Sequence, residues 1–254
     1  MDLVVCIVPV GPMHKEAAHR SEMVSQLLFG EVAEALEKSK DFTRLRGLHD
    51  GYEGWCQTSQ LTGIETPQAA WYKQLSAEWI STIDFNGYPM QLSLGSSLDM
   101  MHKGAAQIGK FSFSYQGKTW DPSLVKFEAE ILSRLALQYL NTPYLWGGRS
   151  IFGIDCSGYV QQLFRFFNKP LPRDAYLQAT VGEVVGFLQE VQCGDLAFFD
   201  NEEGRITHVG LLLNPGTIIH ASGKVRIDKI DNMGIVNSDT GERTHTLRII
   251  KRYP

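Results

Sequence analysis

Cysteine is scarce in this chain of 254 residues, and no two cysteines lie close together. The four, Cys6, Cys56, Cys156 and Cys193, form no CxxC pair, so neither a disulfide framework nor a zinc knuckle is predicted. Cys6 lies in an apolar run and Cys193 directly precedes a predicted strand. We therefore interpret both as small buried hydrophobic residues.

Long apolar runs and basic runs are also missing. The longest apolar run, residues 3–10, is far shorter than the roughly 20 residues that span a bilayer. Asp2 precedes it where a signal peptide carries Lys or Arg, so a cytoplasmic location is expected. The net charge is −4, from 24 basic and 28 acidic residues. A positive field is therefore lacking, and neither nucleic acid nor membrane is expected as a partner.

The sequence divides into two regions with different secondary-structure patterns. Residues 1–118 contain short strand candidates separated by glycine turns, which is typical of small β-barrels. The candidate strands are LVVCIVPV, FTRLR, GYEGWCQ, EWISTIDFNGYPMQL and GKFSFSYQGKTW. One helix is predicted over SEMVSQLLFGE, residues 21–31. The region fits either two small barrels or one barrel with an elaborate insertion.

Residues 119–254 predict helices first and an antiparallel sheet afterwards, which is an α+β domain. The first helix is predicted from a cap at Asp121 or Ser123 as far as Asn141. Its apolar stripe is Leu124, Phe127, Ile131, Leu135 and Leu137. A second amphipathic helix starts at residue 156, with Val160, Leu163, Phe164 and Phe167 on one face. The strand candidates that follow are GDLAFFD, THVGLLL, TIIHASG, KVRIDKI and THTLRIIKRYP.

Cys156 is the first candidate for chemistry, because it is the first residue of the second predicted helix. Unpaired backbone N–H groups and the helix dipole stabilise an anion at that end. We therefore expect a thiol pKa below the ordinary value, as a nucleophile requires. The alternative is a buried structural cysteine at a helix start.

His208 and His220 lie in consecutive strand candidates joined by Asn214-Pro215-Gly216. If those three residues form the loop, Leu213 pairs with Thr217, and the two histidines share a face as diagonal neighbours. One imidazole can then orient the other beside a nucleophile. A two-residue Pro-Gly loop would instead place them on opposite faces.

A zinc site from Cys156, His208 and His220 is the metal alternative. No short-spaced ligand pair supports it, and a metal-bound thiolate could not attack, so neither a metal nor a cofactor is predicted.

At this point the motifs are similar to a known family. WGGRSIFGIDCSGYVQQLF resembles the nucleophile segment of the NlpC/P60 family of cell-wall cysteine peptidases, and GDLAFFD, THVGLLL and IIHASG follow in the family's order. The resemblance implies a papain-like core in residues 119–254, with helices packed on an antiparallel sheet. In it Cys156 is the nucleophile, His208 the base and His220 the orienting residue. Residues 1–118 resemble the bacterial SH3-like region that precedes this core.

The combination resembles γ-D-glutamyl-L-diamino acid endopeptidases, which cut murein peptides that carry a free N-terminal L-Ala. The resemblance implies that Tyr144 and Asp155 line the pocket and that Ser157 contacts substrate. Asp155 is expected to meet the free ammonium electrostatically. Asp174 lies in a loop expected to flank the pocket. Candidates from the SH3-like region are Glu53 and Tyr88, each of which could instead be an ordinary solvated residue.

Three functions remain at this stage. The leading one is an endopeptidase, expected to be a monomer, that acts on small murein peptides during cell-wall recycling. A second keeps the fold but acts as an amidase or acyltransferase on another amide or ester. The third is a wall-binding module with an inactive peptidase domain, against which the joint presence of Cys156, His208 and His220 counts. The intact DGYEGW segment favours the first.

Overall fold

A computed structural model of the protein describes residues 2–64 and 74–253. The chain forms two compact units. The first consists of Met1–Val125, Trp146–Phe152 and Arg165–Pro170, and the second of Lys126–Leu145, Gly153–Phe164 and Leu171–Pro254. None of the helices in the described part of the chain has the length and apolar character that a bilayer crossing requires.

The first unit is built from short antiparallel strands. One sheet has seven strands in the order β3-β2-β6-β5-β4-β1-β7, a second has four in the order β10-β9-β12-β11, and β13 pairs with β8. The strands are β1 (Asp2–Cys6), β2 (Val10–His14), β3 (Met23–Leu28), β4 (Val32–Ser39), β5 (Phe42–Gly47), β6 (Glu53–Gln57), β7 (Leu61–Ile64), β8 (Leu75–Ser76), β9 (Ile80–Phe85), β10 (Tyr88–Ser93), β11 (Ala105–Ile108), β12 (Phe111–Tyr115), β13 (Thr119–Trp120) and β14 (Arg149–Ser150). A 3₁₀ turn occupies Thr58–Gln60.

The helix predicted over residues 21–31 is wrong. Met23–Leu28 is instead strand β3, which pairs with β2. Gly30 then takes a positive φ of 76° next to the Ser97 carbonyl, where a side chain would overlap the backbone. A run of apolar residues without clear periodicity was compatible with either state, and the glycine turn and the neighbouring strand decide it.

A buried ion cluster lies inside the first unit. Glu31, 1% exposed, accepts hydrogen bonds from Arg149 at 2.9 and 3.1 Å and from the Leu28 N–H at 3.1 Å. Arg165 also donates to it. Burial alone would raise the pKa of Glu31, but the two guanidinium charges outweigh burial and lower it to about 2. The carboxylate is therefore ionised at neutral pH inside the unit.

The second unit has three helices among its described residues and a sheet that closes on itself. Its strand order is β16-β22-β17-β18-β19-β20-β21, and β21 also pairs with β22, so six strands form a ring. The elements are α1 (Ala129–Gln138), β15 (Gly153–Ile154), α2 (Cys156–Arg165), α3 (Ala175–Gln178), β16 (Glu183–Val185), β17 (Leu196–Asp200), β18 (Ile206–Asn214), β19 (Thr217–Ser222), β20 (Lys224–Asp231), β21 (Gly234–Val236) and β22 (Arg243–Arg252). Leu188–Glu190 is a 3₁₀ turn. The α+β assignment is only partly confirmed, because strands dominate.

Of the two helices predicted for residues 119–254, the second is confirmed and the first is shorter than predicted. The second begins at Cys156 as predicted, and its four stripe residues are all buried. The first is shorter than predicted: it begins after Glu128, not after Asp121 or Ser123, and Leu124 is 81% exposed. Its buried residues are Leu132, Leu135 and Ala136. Of the two cysteines predicted to be buried hydrophobic residues, Cys6 is buried as predicted. Cys193 is only half-buried, and its sulfur lies 3.1 Å from the Ser133 hydroxyl.

Candidate active site

The candidate nucleophile is presented at the N-terminus of α2 by its neighbour Asp155. The Asp155 carboxylate accepts the N–H of Gly158 at 2.7 Å, and its carbonyl accepts the N–H of Tyr159 at 2.9 Å. This is an N-cap, which satisfies helix donors that otherwise have no partner. The cap fixes the residue at which α2 begins and so places Cys156 in its first turn.

Arg173 forms a buried ion pair with the same carboxylate. Its guanidinium donates to the two oxygens of Asp155 at 3.0 and 2.6 Å and to the Ser157 hydroxyl at 2.9 Å. Asp155, Ser157 and Arg173 are all at least nine-tenths buried. The contact between Asp155 and a substrate ammonium stays a prediction. Much of that carboxylate's charge is already balanced by Arg173.

The Cys156 thiol is buried, and this overturns the expected lowering of its pKa. Burial and the negative charge of Asp155 raise the pKa to about 12. The backbone N–H groups of Val209 and Ser157, which contact the sulfur, oppose this increase without cancelling it. The helix terminus is therefore not enough to hold a free thiolate, and the resting residue is a neutral thiol. The Val209 contact also places the sulfur beside strand β18, on which His208 is the preceding residue.

His208 and His220 are hydrogen-bonded to each other, with 2.8 Å between His208 Nε2 and His220 Nδ1. The loop that joins their strands is the two-residue loop, which was expected to place the two histidines on opposite faces. The loop has only two residues, since Asn214 pairs with Thr217, not Leu213. A β-bulge between Leu212 and Asn214 then absorbs the extra residue and restores the expected facing of the two histidines.

The chain of hydrogen bonds continues beyond the histidines to a carboxylate. His220 Nε2 lies 2.9 Å from Asp228 Oδ2 on β20. Arg226 donates to both oxygens of Asp228, at 2.8 and 2.9 Å, and the Ser238 N–H donates to Oδ1 at 2.8 Å. Both ring nitrogens of His220 are thereby engaged. Neither ring nitrogen is open to a zinc ion while these hydrogen bonds are made, and no group of three His, Cys, Asp or Glu side chains within residues 2–64 and 74–253 is placed to hold a metal.

A third imidazole packs on the candidate base. The ring of His245, on β22, stacks on His208 with 4.2 Å between centroids and 27° between planes. Phe199 contacts both rings, at 5.7 and 5.8 Å. Burial, together with His220 and His245, lowers the pKa of His208 well below its ordinary value. His208 is therefore neutral at rest.

The other predicted residues of the second unit lie at different distances from the thiol. Tyr144 is close: burial, followed by the charges of Cys156 and Asp155, raises the pKa of its hydroxyl. Ser157 is adjacent, but its hydroxyl is bonded within the Asp155–Arg173 network. Asp174 is half-buried at the start of α3, where it caps no N–H with its side chain.

Glu53 and Tyr88 lie in the first unit, and their surroundings are those of surface residues. The Glu53 carboxylate is held by Arg44 at 2.8 Å and by Arg46 at 2.7 and 3.0 Å, and these hydrogen bonds lower its pKa. Tyr88 begins β10 and is 75% exposed. Their roles in substrate binding stay predictions.

Three residues of the site were missed from the sequence. Arg173 and Asp228 carry charges that the fold buries, and His245 lies on the last strand, about 37 residues beyond His208. A signal existed for Asp228, because KVRIDKI places an acid in a strand that is otherwise apolar or basic. His245 gave no comparable signal, because β17 pairs with β18 on one side and β22 on the other, and these pairings between distant segments bring it to His208.

Comparisons with known proteins agree with the fold. The NlpC/P60 family profile matches residues 141–244, and the profile of the bacterial dipeptidyl-peptidase SH3 domain matches residues 13–61. An NlpC/P60 family protein from Bacillus cereus has a similar structure, with a TM-score of 0.81, 18% identity and 99% of each chain covered. That similarity shows a shared fold.

Three relatives are similar in sequence. The chain is 43% identical over 182 residues to the gamma-D-glutamyl-L-lysine dipeptidyl-peptidase of Bacillus subtilis. The aligned region covers 67% of this chain and 60% of that protein. A protein of the same name from Bacillus cereus is 24% identical over 263 residues, covering 89% and 76%. A probable endopeptidase of Haemophilus influenzae is 34% identical over 137 residues, covering 53% and 83%. The chain thus matches only about three fifths of the Bacillus subtilis relative.

Proposed function

The chain belongs to the NlpC/P60 family of cysteine peptidases, with an SH3-like region ahead of a papain-like fold, and we propose that it cuts murein-derived peptides between γ-D-glutamate and a diamino acid. The observation that carries the proposal is the contact of the Cys156 sulfur with the N–H of Val209, the residue that follows His208 on β18. This contact supports a nucleophile that works against the strand carrying a neutral His208 as its base.

The chemistry follows from the neutral resting state. His208 takes the Cys156 proton as the sulfur attacks the γ-carbonyl carbon, so the thiolate forms only during the reaction. The Cys156 N–H, in the first turn of α2, has no acceptor within the helix and is oriented to stabilise the oxyanion. His208 then returns the proton to the leaving amine of the diamino acid. Water hydrolyses the resulting thioester, and Cys156 regains its proton.

The choice of substrate rests on the relatives. Two of them are named for the γ-D-glutamyl-L-lysine bond, and the SH3 profile that matches here is the one named for bacterial dipeptidyl-peptidases. We extend that specificity to this chain, with a free N-terminal L-Ala on the peptide and with the protein acting as a monomer on small soluble fragments. Tyr144, next to the thiol, and Asp174, at the start of α3, are the proposed binding residues on the second unit.

The proposal is tested with L-Ala-γ-D-Glu-L-Lys and its N-acetylated form, with products identified by mass spectrometry. We expect L-Ala-γ-D-Glu and free lysine from the first peptide and a kcat/KM lower by roughly 10²-fold for the second, because an uncapped ammonium is lost. The Cys156→Ala variant is the control and should release nothing. Equal rates on both peptides would refute the free-terminus specificity, and no cleavage of either would refute the substrate.

A further inference from the structure

Asp228 lies at the end of a buried hydrogen-bonded chain that starts at the candidate base. His208 contacts His220 at 2.8 Å, and His220 contacts Asp228 at 2.9 Å. His220 is fully buried and Asp228 is 2% exposed, so water does not compete for these bonds. The family resemblance assigned roles to the two histidines, but none to this carboxylate.

The positions of the protons in this series of hydrogen bonds follow from the ionisation state of Asp228. Burial alone would raise the pKa of Asp228, but hydrogen bonds from His220, Arg226 and the Ser238 N–H outweigh burial and lower it. The carboxylate is therefore ionised, and an ionised carboxylate only accepts hydrogen bonds. It follows that His220 Nε2 carries a proton and donates it to Asp228.

The next link is then determined. In the neutral form of His220 this proton on Nε2 is the only one on the ring, so Nδ1 has a lone pair and accepts. Its partner at 2.8 Å, His208 Nε2, must be the donor. The single proton of a neutral His208 is thus on Nε2, and its Nδ1 has the lone pair that a general base needs.

We propose that Asp228 is a positioning residue that sets the tautomer of His208 through His220, so that Nδ1 of the base is free to take the Cys156 proton. This inference rests on the proposed role of His208 as the base. Arg226 supports it by holding both oxygens of Asp228 in place, and by contacting Asn237 at 2.9 Å. A purely structural role, in which Asp228 only joins β19 to β20, would leave the tautomer of His208 unaffected.

Asp228→Asn separates these two roles, because it preserves size while replacing one acceptor by a donor. Oδ1 receives two donors that cannot become acceptors, Arg226 Nη2 and the Ser238 N–H, whereas Oδ2 receives only one such donor, Arg226 Nε, so the amide oxygen is expected at the Oδ1 position. The amide N–H then faces His220 Nε2. His220 must accept at Nε2 and donate from Nδ1, which forces the His208 proton onto Nδ1, the wrong nitrogen.

The experiment is ¹⁵N NMR of the histidine rings in the intact 254-residue chain, with resonances assigned by replacing one histidine at a time. In the wild type we expect His208 to be protonated at Nε2, and in Asp228→Asn at Nδ1. Asp231→Asn is the matched control: it lies on the same strand, pairs with the exposed Arg243, and should leave His208 unchanged. A wild-type His208 protonated at Nδ1 would overturn the inference even if the variant failed to fold.

Activity is measured on the same samples. A wrong tautomer should lower kcat/KM about 10²- to 10⁴-fold, since that is the usual contribution of a positioned base. An unchanged His208 tautomer in Asp228→Asn overturns the inference whatever the activity. A changed tautomer with undiminished activity would show that Asp228 sets the tautomer, but it would refute the base role of His208 and with it the catalytic part of the inference.

Discussion

Gly210 lies between the two histidines on the β18–β19 hairpin, and Gly210→Ala tests how tightly their geometry is held. A Cβ at this position would lie 2.8 Å from the Cβ of His220 and 2.7 Å from Cδ1 of Ile218. The Ile218 methyl can rotate away, but the Cβ of His220 cannot, because its ring is hydrogen-bonded at both nitrogens. Carbon atoms in ordinary contact are about 3.5 Å apart or more. Strand β19 must therefore move by about 0.7 Å.

This displacement determines the expected loss in the free energy of unfolding and the expected loss in reaction rate. Overpacking of one methyl group in a buried site costs roughly 1–3 kcal/mol of the free energy of unfolding. A shift that approaches 1 Å at a catalytic group costs about 10²-fold in rate. We therefore expect Gly210→Ala to remain folded but to lose about 10²-fold in kcat/KM, with KM changed much less than kcat.

The assay combines thermal unfolding with steady-state cleavage of L-Ala-γ-D-Glu-L-Lys. Gly216→Ala in the same hairpin is the matched control, because its Cβ would meet only the Asn214 side-chain oxygen at 3.8 Å. It should retain both stability and activity. Wild-type kcat/KM in Gly210→Ala would refute the reasoning, since it would mean that the His208–His220 distance does not limit the reaction.

Four further variants, at three positions, probe the buried charges and the stacked ring. Glu31→Gln should lower the free energy of unfolding by about 3 kcal/mol at neutral pH. In the wild type this stabilisation is present above the ordinary pKa of 4.5 and is lost as the pH falls toward 2, so the free energies of unfolding of the two proteins, followed by circular dichroism, should converge in acid. Arg173→Met leaves the Asp155 carboxylate buried without its cation and should cost roughly 3–5 kcal/mol in urea denaturation; a loss below 1 kcal/mol would contradict this. His245→Ala should reduce kcat several-fold while His245→Phe, which retains a ring against His208, should not, and equal rates for all three proteins would rule out a role for the stack.

The helix that carries Cys156 was predictable because its signals are local. An apolar stripe at helical spacing is read directly from consecutive residues. The pairing of His208 with His220 was predictable for the same reason, since one turn joins their strands. Even there the loop length was misjudged, and a bulge, which leaves no clear sequence signal, corrected the register.

What could not be predicted depends on contacts between distant segments. The pKa of Cys156 is set by burial, which the helix-dipole argument did not include. Arg173 neutralises Asp155 from 18 residues away, so a carboxylate that resembled a free ligand for an ammonium is already paired. The strand β3 replaced a predicted helix because its neighbour β2 offered a ladder of hydrogen bonds, which outweighs a weak local preference.

The most direct test of the account is intact-protein mass spectrometry after rapid acid quench during turnover of L-Ala-γ-D-Glu-L-Lys. We predict a transient adduct of one L-Ala-γ-D-Glu acyl group, mapped to Cys156 as a thioester, that accumulates when hydrolysis is slowed. The same adduct should be absent in Cys156→Ala and should form far more slowly in His208→Ala. Turnover by Cys156→Ala at the wild-type rate, or an acyl group mapped to any other residue, would contradict the central claim.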